Sequence, residues 1–272
     1  MKVSSAREIA GSSERFPPGV RVGPGALIDD DVSLGETRGR SGPSRGLEIG
    51  RQARIRSGCA VHDGVRIGDR LEMGRHVVIR GDTTIGDEFR VWDNTIIDAG
   101  CTIGDRVQIH ANCYIAQLTT IGDEVNIGPG VCLADDPHPG SLTHLCMRGP
   151  TIERGAHIGT NATILPFVTI GERSLVSPGS VVARSVPAGF VVAGNPARIL
   201  KSVAKVTCPL DVEEGQYLES RRGSSDASRE TAGERTPGRN AEGGWLGARQ
   251  SDLTCGDACD EHRSPPARSL GP

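Results

Sequence analysis

The sequence predicts an all-β chain wound as a triangular prism of parallel strands, eighteen residues per coil, with one protruding loop and a disordered C-terminal tail. Three observations predict it. First, an aliphatic residue returns every sixth position without a miss from Ile49 through Ile67, Met73, Ile85, Ile103 and Ile121 to Leu133, and again from Ile152 to Val182. Second, a residue that is mostly small or β-branched stands four places after each of these, as at Ala53, Cys59, Thr95, Cys113 and Val131. Inward positions four and then two residues apart suit short strands, whereas a helix needs sustained spacings of three and four. Third, the hexads IGRQAR, IGDRLE, IGDEFR, IGDRVQ and IGDEVN begin at 49, 67, 85, 103 and 121, eighteen apart, so three hexads make one circuit and the same hexad returns to the same face.

Each segment follows in order. Residues 1–18 carry no hexad and are expected to form a flexible N-terminus, and the prism itself is expected over 19–201. Val22, Ile28 and Leu34 open hexads, but the step from Leu34 to Ile49 is not a multiple of six, so RGRSGPSRG is expected to leave the first coils as a surface loop. Along the main series the position three after the aliphatic residue holds Gly58, Gly64, Asn94, Gly100, Asn112, Gly130, Gly155, Asn161 and Gly179. Glycine and asparagine adopt positive φ at least cost, which marks this position as the corner. Cys59, Cys101 and Cys113 fall in the inward registers and read as core filler.

The count breaks once more. Leu133 and Ile152 are nineteen residues apart where one hexad needs six, so thirteen residues leave the prism in a loop over 134–151, ADDPHPGSLTHLCMRGPT. Loops on rigid scaffolds carry function disproportionately. After the closing coils, residues 202–272 are rich in Ser, Gly, Arg and Glu and poor in aliphatics, and are expected to be disordered. Cys255, Cys259 and His262 lie in this tail, and without a fourth ligand they are not assigned to a metal.

Composition narrows the function. A net charge of only −3 argues against nucleic acid as a partner, no stretch approaches the ~18 apolar residues of a membrane span, and the first residues lack the apolar run of a secretory signal. The expected location is cytoplasmic, with reduced thiols.

The hexads, and above all the end of the chain from PTIERGAHIGTNATILPFVTIGERSLVSPGSVVARSVPAGF to VVAGNPARILK, resemble the hexapeptide-repeat acyltransferases, whose fold is a left-handed parallel β-helix. The resemblance covers about residues 20–201 and is closest to acetyl-CoA-dependent sugar N-acetyltransferases. It implies acetyl-CoA as acyl donor, a small-molecule acceptor that is an amino sugar, possibly nucleotide-linked, and a homotrimer; no metal is expected. The same resemblance implies a general base at His138, five residues after Leu133, with Asp136 beside it. Imidazole suits that task because it exchanges protons near neutrality. Asp135 and Asp136 could instead build an Asx turn before Pro137.

His110, Asn112, Gln117 and Asp135 are the candidates for acceptor binding. For the donor, the matching positions are Thr160, Pro178, Ala183, Arg184, Arg198 and Lys201, with the basic residues placed to meet CoA phosphates. Pro178 and Ala183 depart from the Ala and Thr usual there, and Pro178 offers only its carbonyl. The alternatives are O-acetylation of a sugar, serine or xenobiotic hydroxyl, and a non-catalytic β-helix scaffold. A zinc hydratase on this fold needs two histidines a few residues apart on one strand, but isoleucine stands five after His110.

Overall fold

The computed structural model describes residues 7–9, 16–36, 45–140 and 146–207. The chain divides into two units, Met1–Ser224 and Ser225–Pro272, and only the first contains described residues. Residues 208–272 with the tail's cysteines, the centre of the first loop and His144 lie outside the described residues, whereas the start of the expected tail is ordered: a strand runs to Ser202 and a 3-10 turn follows over Val203–Lys205.

The architecture is a left-handed parallel β-helix. Strands, most of them two or three residues long, fall into three sheets, one per face. The first sheet includes Glu72–Met73, Arg90–Val91, Gln108–Ile109, Asn126–Ile127 and His157–Ile158. The second includes Val78–Ile79, Ile96–Ile97, Tyr114–Ile115, Cys132–Leu133 and Thr163–Ile164. The third includes Thr84–Ile85, Thr102–Ile103, Thr120–Ile121, Thr151–Ile152 and Thr169–Ile170. The chain visits them in that order, and away from the two insertions and the ends each strand pairs in parallel with the strand eighteen residues on, as Ile85 with Ile103 and Ile103 with Ile121.

The inward registers form the core. The aliphatic series from Ile49 to Val182 is buried throughout, and so are Cys59, Cys101 and Cys113. Burial drives the Cys59 thiol up to about 11 and the Cys101 thiol up to about 12, which suits packing and not reactivity. The buried hydroxyls are all matched: Thr83 Oγ1 donates to the Asp98 carbonyl and accepts from the Cys101 amide, and Thr95 repeats this with His110 and Cys113. Among the described residues no buried side-chain nitrogen or oxygen lacks a partner.

The corners behave as the Gly/Asn pattern predicts, and then go further. Every one of the nine Gly and Asn corner residues has positive φ. The same position is also filled by Gln52, Arg70, His76, Glu88, Leu118, Glu124 and Phe167, all between 55° and 61°. The turn geometry of the coil overrides residue preference there, at ~1–2 kcal/mol per residue.

The IGD motif has a separate cause. Asp87 Oδ1 accepts from the Asp69 amide at 2.8 Å, Asp105 Oδ1 from the Asp87 amide at 2.8 Å, and Asp123 Oδ1 from the Asp105 amide at 3.0 Å. Each carboxylate caps the coil before it and occupies the space beside the preceding glycine. A Cβ on Gly86 would collide with Asp105 Oδ1 and lie 2.8 Å from the Gly104 carbonyl carbon.

Both departures from the count leave from the corner between the second and third sheets. Val22 pairs with Ile49 and Leu34 with Val61, 27 residues apart, so nine extra residues leave after the strand Ser33–Glu36. At both ends the first sheet is closed by an antiparallel strand. Arg7–Ile9, inside the N-terminal stretch, pairs with Ala26–Ile28. At the other end Phe190–Gly194 and Ala197–Ser202 form a hairpin whose turn is the AGNPAR element, with a cis Asn195–Pro196 bond. Such closure removes unpaired strand edges. No helix among the described residues is long and apolar enough to cross a membrane.

Gly86→Ala is expected to destabilise the prism by about 1–3 kcal/mol, because the added methyl must displace a carboxylate and backbone at once. A thermal melt of the variant checks this; an unchanged midpoint would show that the Asp ladder yields freely.

Candidate functional site

The loop over 134–151 leaves and rejoins the prism without disturbing its register. Ile121 pairs with Ile152 and Leu133 with Ile164, each 31 residues apart, which is one coil plus the thirteen added residues. Its neck is pinned by backbone. Ala134 N–H donates to Ile164 O at 2.9 Å, Arg148 N–H to Asp135 O at 2.9 Å, and Gly149 N–H to Gln117 O at 2.9 Å. Gly149 is buried there, and a Cβ on it would strike the Thr119 hydroxyl, so only glycine closes the neck.

Above the neck, Asp136 Oδ1 accepts from the His138 amide at 2.8 Å. This is the Asx turn, and it gives Asp136 a definite duty: it fixes the backbone that carries His138 and not, in this geometry, the imidazole. His138 itself is exposed, as are Pro137, Pro139 and Gly140.

A half-buried polar cluster that the sequence did not single out lies beside the neck on the second sheet. Arg80 NH1 donates to both oxygens of Asp98 at 3.0 and 3.1 Å. Tyr114 OH donates to Asp98 Oδ2 at 2.9 Å, and the Ala99 amide to Oδ1 at 2.7 Å. Burial alone would raise the Asp98 pKa, but the donors from Ala99, Tyr114 and Arg80 outweigh it and leave it lowered. Tyr114 is pushed up to about 12 by burial, by its bond to Asp98 and by the nearby charges of Asp98 and Asp135. Burial and Asp135 also raise the Cys132 thiol. Asp135 thus lies near Tyr114 and Cys132, and the neck carries Asp98 and Asp135 beside Arg80 and Arg148. The signal was available only in part: Arg80 and Asp98 are eighteen apart, but Tyr114 reaches Asp98 from the adjacent register.

The remaining candidates sort onto two corners. Gln117, Asp135, Ala183 and Arg184 share the corner between the second and third sheets with the loop, and Ala183 and Arg184 are exposed there two coils beyond it. His110, Asn112, Thr160 and Pro178 stand at the corner between the first and second sheets. There the Gly179 amide donates to Thr160 O at 2.8 Å, and Asn112 Oδ1 accepts from Asn94 Nδ2 at 3.3 Å. His110 stacks on Trp92. A single chain therefore does not bring His110 and Asn112 together with Gln117 and His138. Arg198 and Lys201 are exposed on the terminal hairpin, where Arg198 NH1 donates to Ala197 O at 3.0 Å. Among the described residues no group of three or more His, Cys, Asp or Glu could hold a metal ion.

Comparison with known proteins agrees with the repeat. Residues 82–117 and 149–184, which flank the loop, match the bacterial transferase hexapeptide family (six repeats). A 2,3,4,5-tetrahydropyridine-2,6-dicarboxylate N-acetyltransferase of Clostridium perfringens is 48% identical over 81 residues, 30% of this chain and 32% of that protein. The Staphylococcus aureus protein of the same name is 39% identical over 80 residues, 29% and 31% of the two chains. The chain thus spans about a third of the length of these curated relatives. Of solved structures, a hexapeptide-repeat-containing acetyltransferase of Vibrio cholerae, complexed with acetyl coenzyme A, is 36% identical over 38% of this chain and 60% of that chain, with a TM-score of 0.33.

Asp98→Asn is expected to cost about 1–3 kcal/mol at neutral pH, since Arg80 and Tyr114 lose a charged acceptor. A group whose folded pKa is lowered contributes stability that is present above its unfolded pKa and is lost as pH falls through the folded one. The difference between wild type and variant, followed by urea unfolding, should therefore narrow as pH falls below 3.8, the ordinary value for the carboxyl. A gap independent of pH would show that the charge does not matter.

Proposed function

We propose that this chain, in which residues 82–117 and 149–184 match the bacterial transferase hexapeptide family, is an acyltransferase that moves an acetyl group from acetyl-CoA to the amino group of a small acceptor, an amino sugar. The observation that carries this reading is the loop. A scaffold protein would gain nothing from thirteen residues thrown out between two stretches that match a transferase family, on a pinned neck that keeps the register intact. The two relatives named N-acetyltransferases support acetyl transfer to nitrogen over the stretch they share.

In the proposed reaction the acceptor amine attacks the thioester carbon of acetyl-CoA. His138 takes the proton that the amine sheds, a backbone N–H stabilises the oxyanion, and the CoA thiolate leaves as the tetrahedral carbon collapses to the amide. Asp135, at the loop's neck, favours a cationic amine approaching the loop. Arg184, Arg198 and Lys201 are exposed on later coils, a position from which they can meet CoA phosphates. The two corners that divide the candidates support a homotrimer, in which the loop of one copy meets the His110 corner of the next. O-acetylation remains the second reading, favoured by the histidine itself, because a hydroxyl needs a base more than an amine does.

Thiol release from acetyl-CoA with a panel of amino sugars and their hydroxyl counterparts tests the reading. His138→Ala should lower kcat by about 10²–10⁴-fold with CoA binding retained. Unchanged turnover would remove His138 from the mechanism, and failure of the wild type to bind CoA would overturn the function.

A further inference from the structure

We infer that the outer face of the first sheet carries a binding site for a nucleoside diphosphate, in a slot between Trp92 and Arg56. It adjoins the His110 corner, and binding there is read without acetyl-CoA, so its failure would leave the acetyl-transfer reading standing.

The outward residues that follow the inward aliphatic positions on this face run Arg56, Gly74, Trp92 and His110, one per coil. Their register is set by the pairs Ile55 with Met73, Met73 with Val91 and Val91 with Ile109. The Trp92 and His110 rings are stacked, with centroids 4.5 Å apart and planes 6° from parallel. That separation is close to the strand spacing of ~4.8 Å, so the rings lie flat along the coils. His110 covers one face of the indole, and the other face is turned toward the coil of Gly74.

Gly74 leaves that coil empty. It is glycine because a Cβ would collide with the Asp93 carboxylate, which accepts from the Arg75 amide at 2.7 Å. Arg56 and Trp92 leave strands two spacings apart, about 9.6 Å, and a flat ring in contact on both faces needs about 7–8 Å, so the flexible Arg56 guanidinium closes the slot by leaning toward the indole. Indole and guanidinium are the two side-chain surfaces on which a heterocyclic base stacks well.

Charge specifies the rest of the ligand. The slot opens into a cavity of ≈ 550 Å³ lined by Arg54, Arg56, Arg75 and Arg90 against Glu72 and Asp93. Glu72 approaches Arg90 at 3.6 Å, and Asp93 is engaged with backbone. Among the described residues Arg54, Arg56 and Arg75 stand in no ion pair. Three such guanidiniums exceed the charge of one phosphate monoester and suit a diphosphate, with Arg forming paired hydrogen bonds to its oxygens. A nucleotide-linked acceptor is one molecule of this class.

Calorimetric titration of the full chain, without acetyl-CoA, tests the site with uridine diphosphate, adenosine diphosphate and inorganic pyrophosphate as probes. A nucleoside diphosphate should bind below about 1 mM, and pyrophosphate at least about tenfold more weakly. Trp92→Ala and Arg56→Ala should each weaken the nucleotide by about tenfold or more, while Trp92→Phe keeps most of the affinity. No binding of either nucleotide, pyrophosphate binding as tightly as the nucleotides, or affinity unmoved by both alanine variants would overturn the assignment. Should Trp92→Ala not fold, the exposed Arg56→Ala decides alone.

Discussion

Everything in this molecule depends on the hydrogen bond from each coil to the next. An amide at one position donates to a carbonyl one coil on, as Gly68 to Ile85 and Gly86 to Ile103. To keep that pairing, the chain must turn three corners and return to the same height and phase every eighteen residues. A residue unable to take positive φ with ease still does so at Leu118 and Phe167, because refusing would break the pairing of whole coils. The local cost is one or two kcal/mol, whereas a lost coil contact strips partners from several backbone groups at once.

Stacking at fixed phase turns each position into a column, and columns explain the polar chemistry as well as the core. Inward columns hold aliphatic residues, small thiols and hydroxyls satisfied by neighbouring carbonyls. Outward columns hold ladders of Asp, Asn and Arg–Glu pairs such as Arg70 with Glu88 and Arg106 with Glu124. Exposed pairs of this kind are individually weak. The Asp carboxylates that cap amides are different, since they bind backbone that the coil would otherwise leave to water and they dictate the glycine beside them.

The same constraint decides where function can be added. Residues can be added at a corner where the chain leaves the prism and returns to the same strand position, whatever their number. Nine after Ser33–Glu36 and thirteen after Leu133 do so at the same corner. The prism does not respond to the second insertion, which leaves the loop free to carry His138 while its neck rests on Gly149 and the Arg80–Asp98–Tyr114 cluster. Glycine columns act in the opposite sense: where a ladder demands glycine beside an aromatic neighbour, as at Gly74 below Trp92, the face gains a recess.

The sequence by itself determined the period, the inward residues, the Gly and Asn corners and the loop over 134–151, because each of these is a pattern among residues six apart along one chain. It also placed Cys59, Cys101 and Cys113 in the core. Only the tertiary structure decided which corners are occupied by Arg, Leu or Phe at positive φ, that His110 belongs to a different corner from Gln117, and that Tyr114 completes a cluster with Asp98. The Tyr114–Asp98 bond joins residues sixteen apart in neighbouring coils, through a side chain that reaches from one column to the next. A six-residue count cannot measure that reach. Asp136 shows the boundary well: its place in the loop was legible, but that its carboxylate holds the His138 amide was settled by the turn the backbone takes.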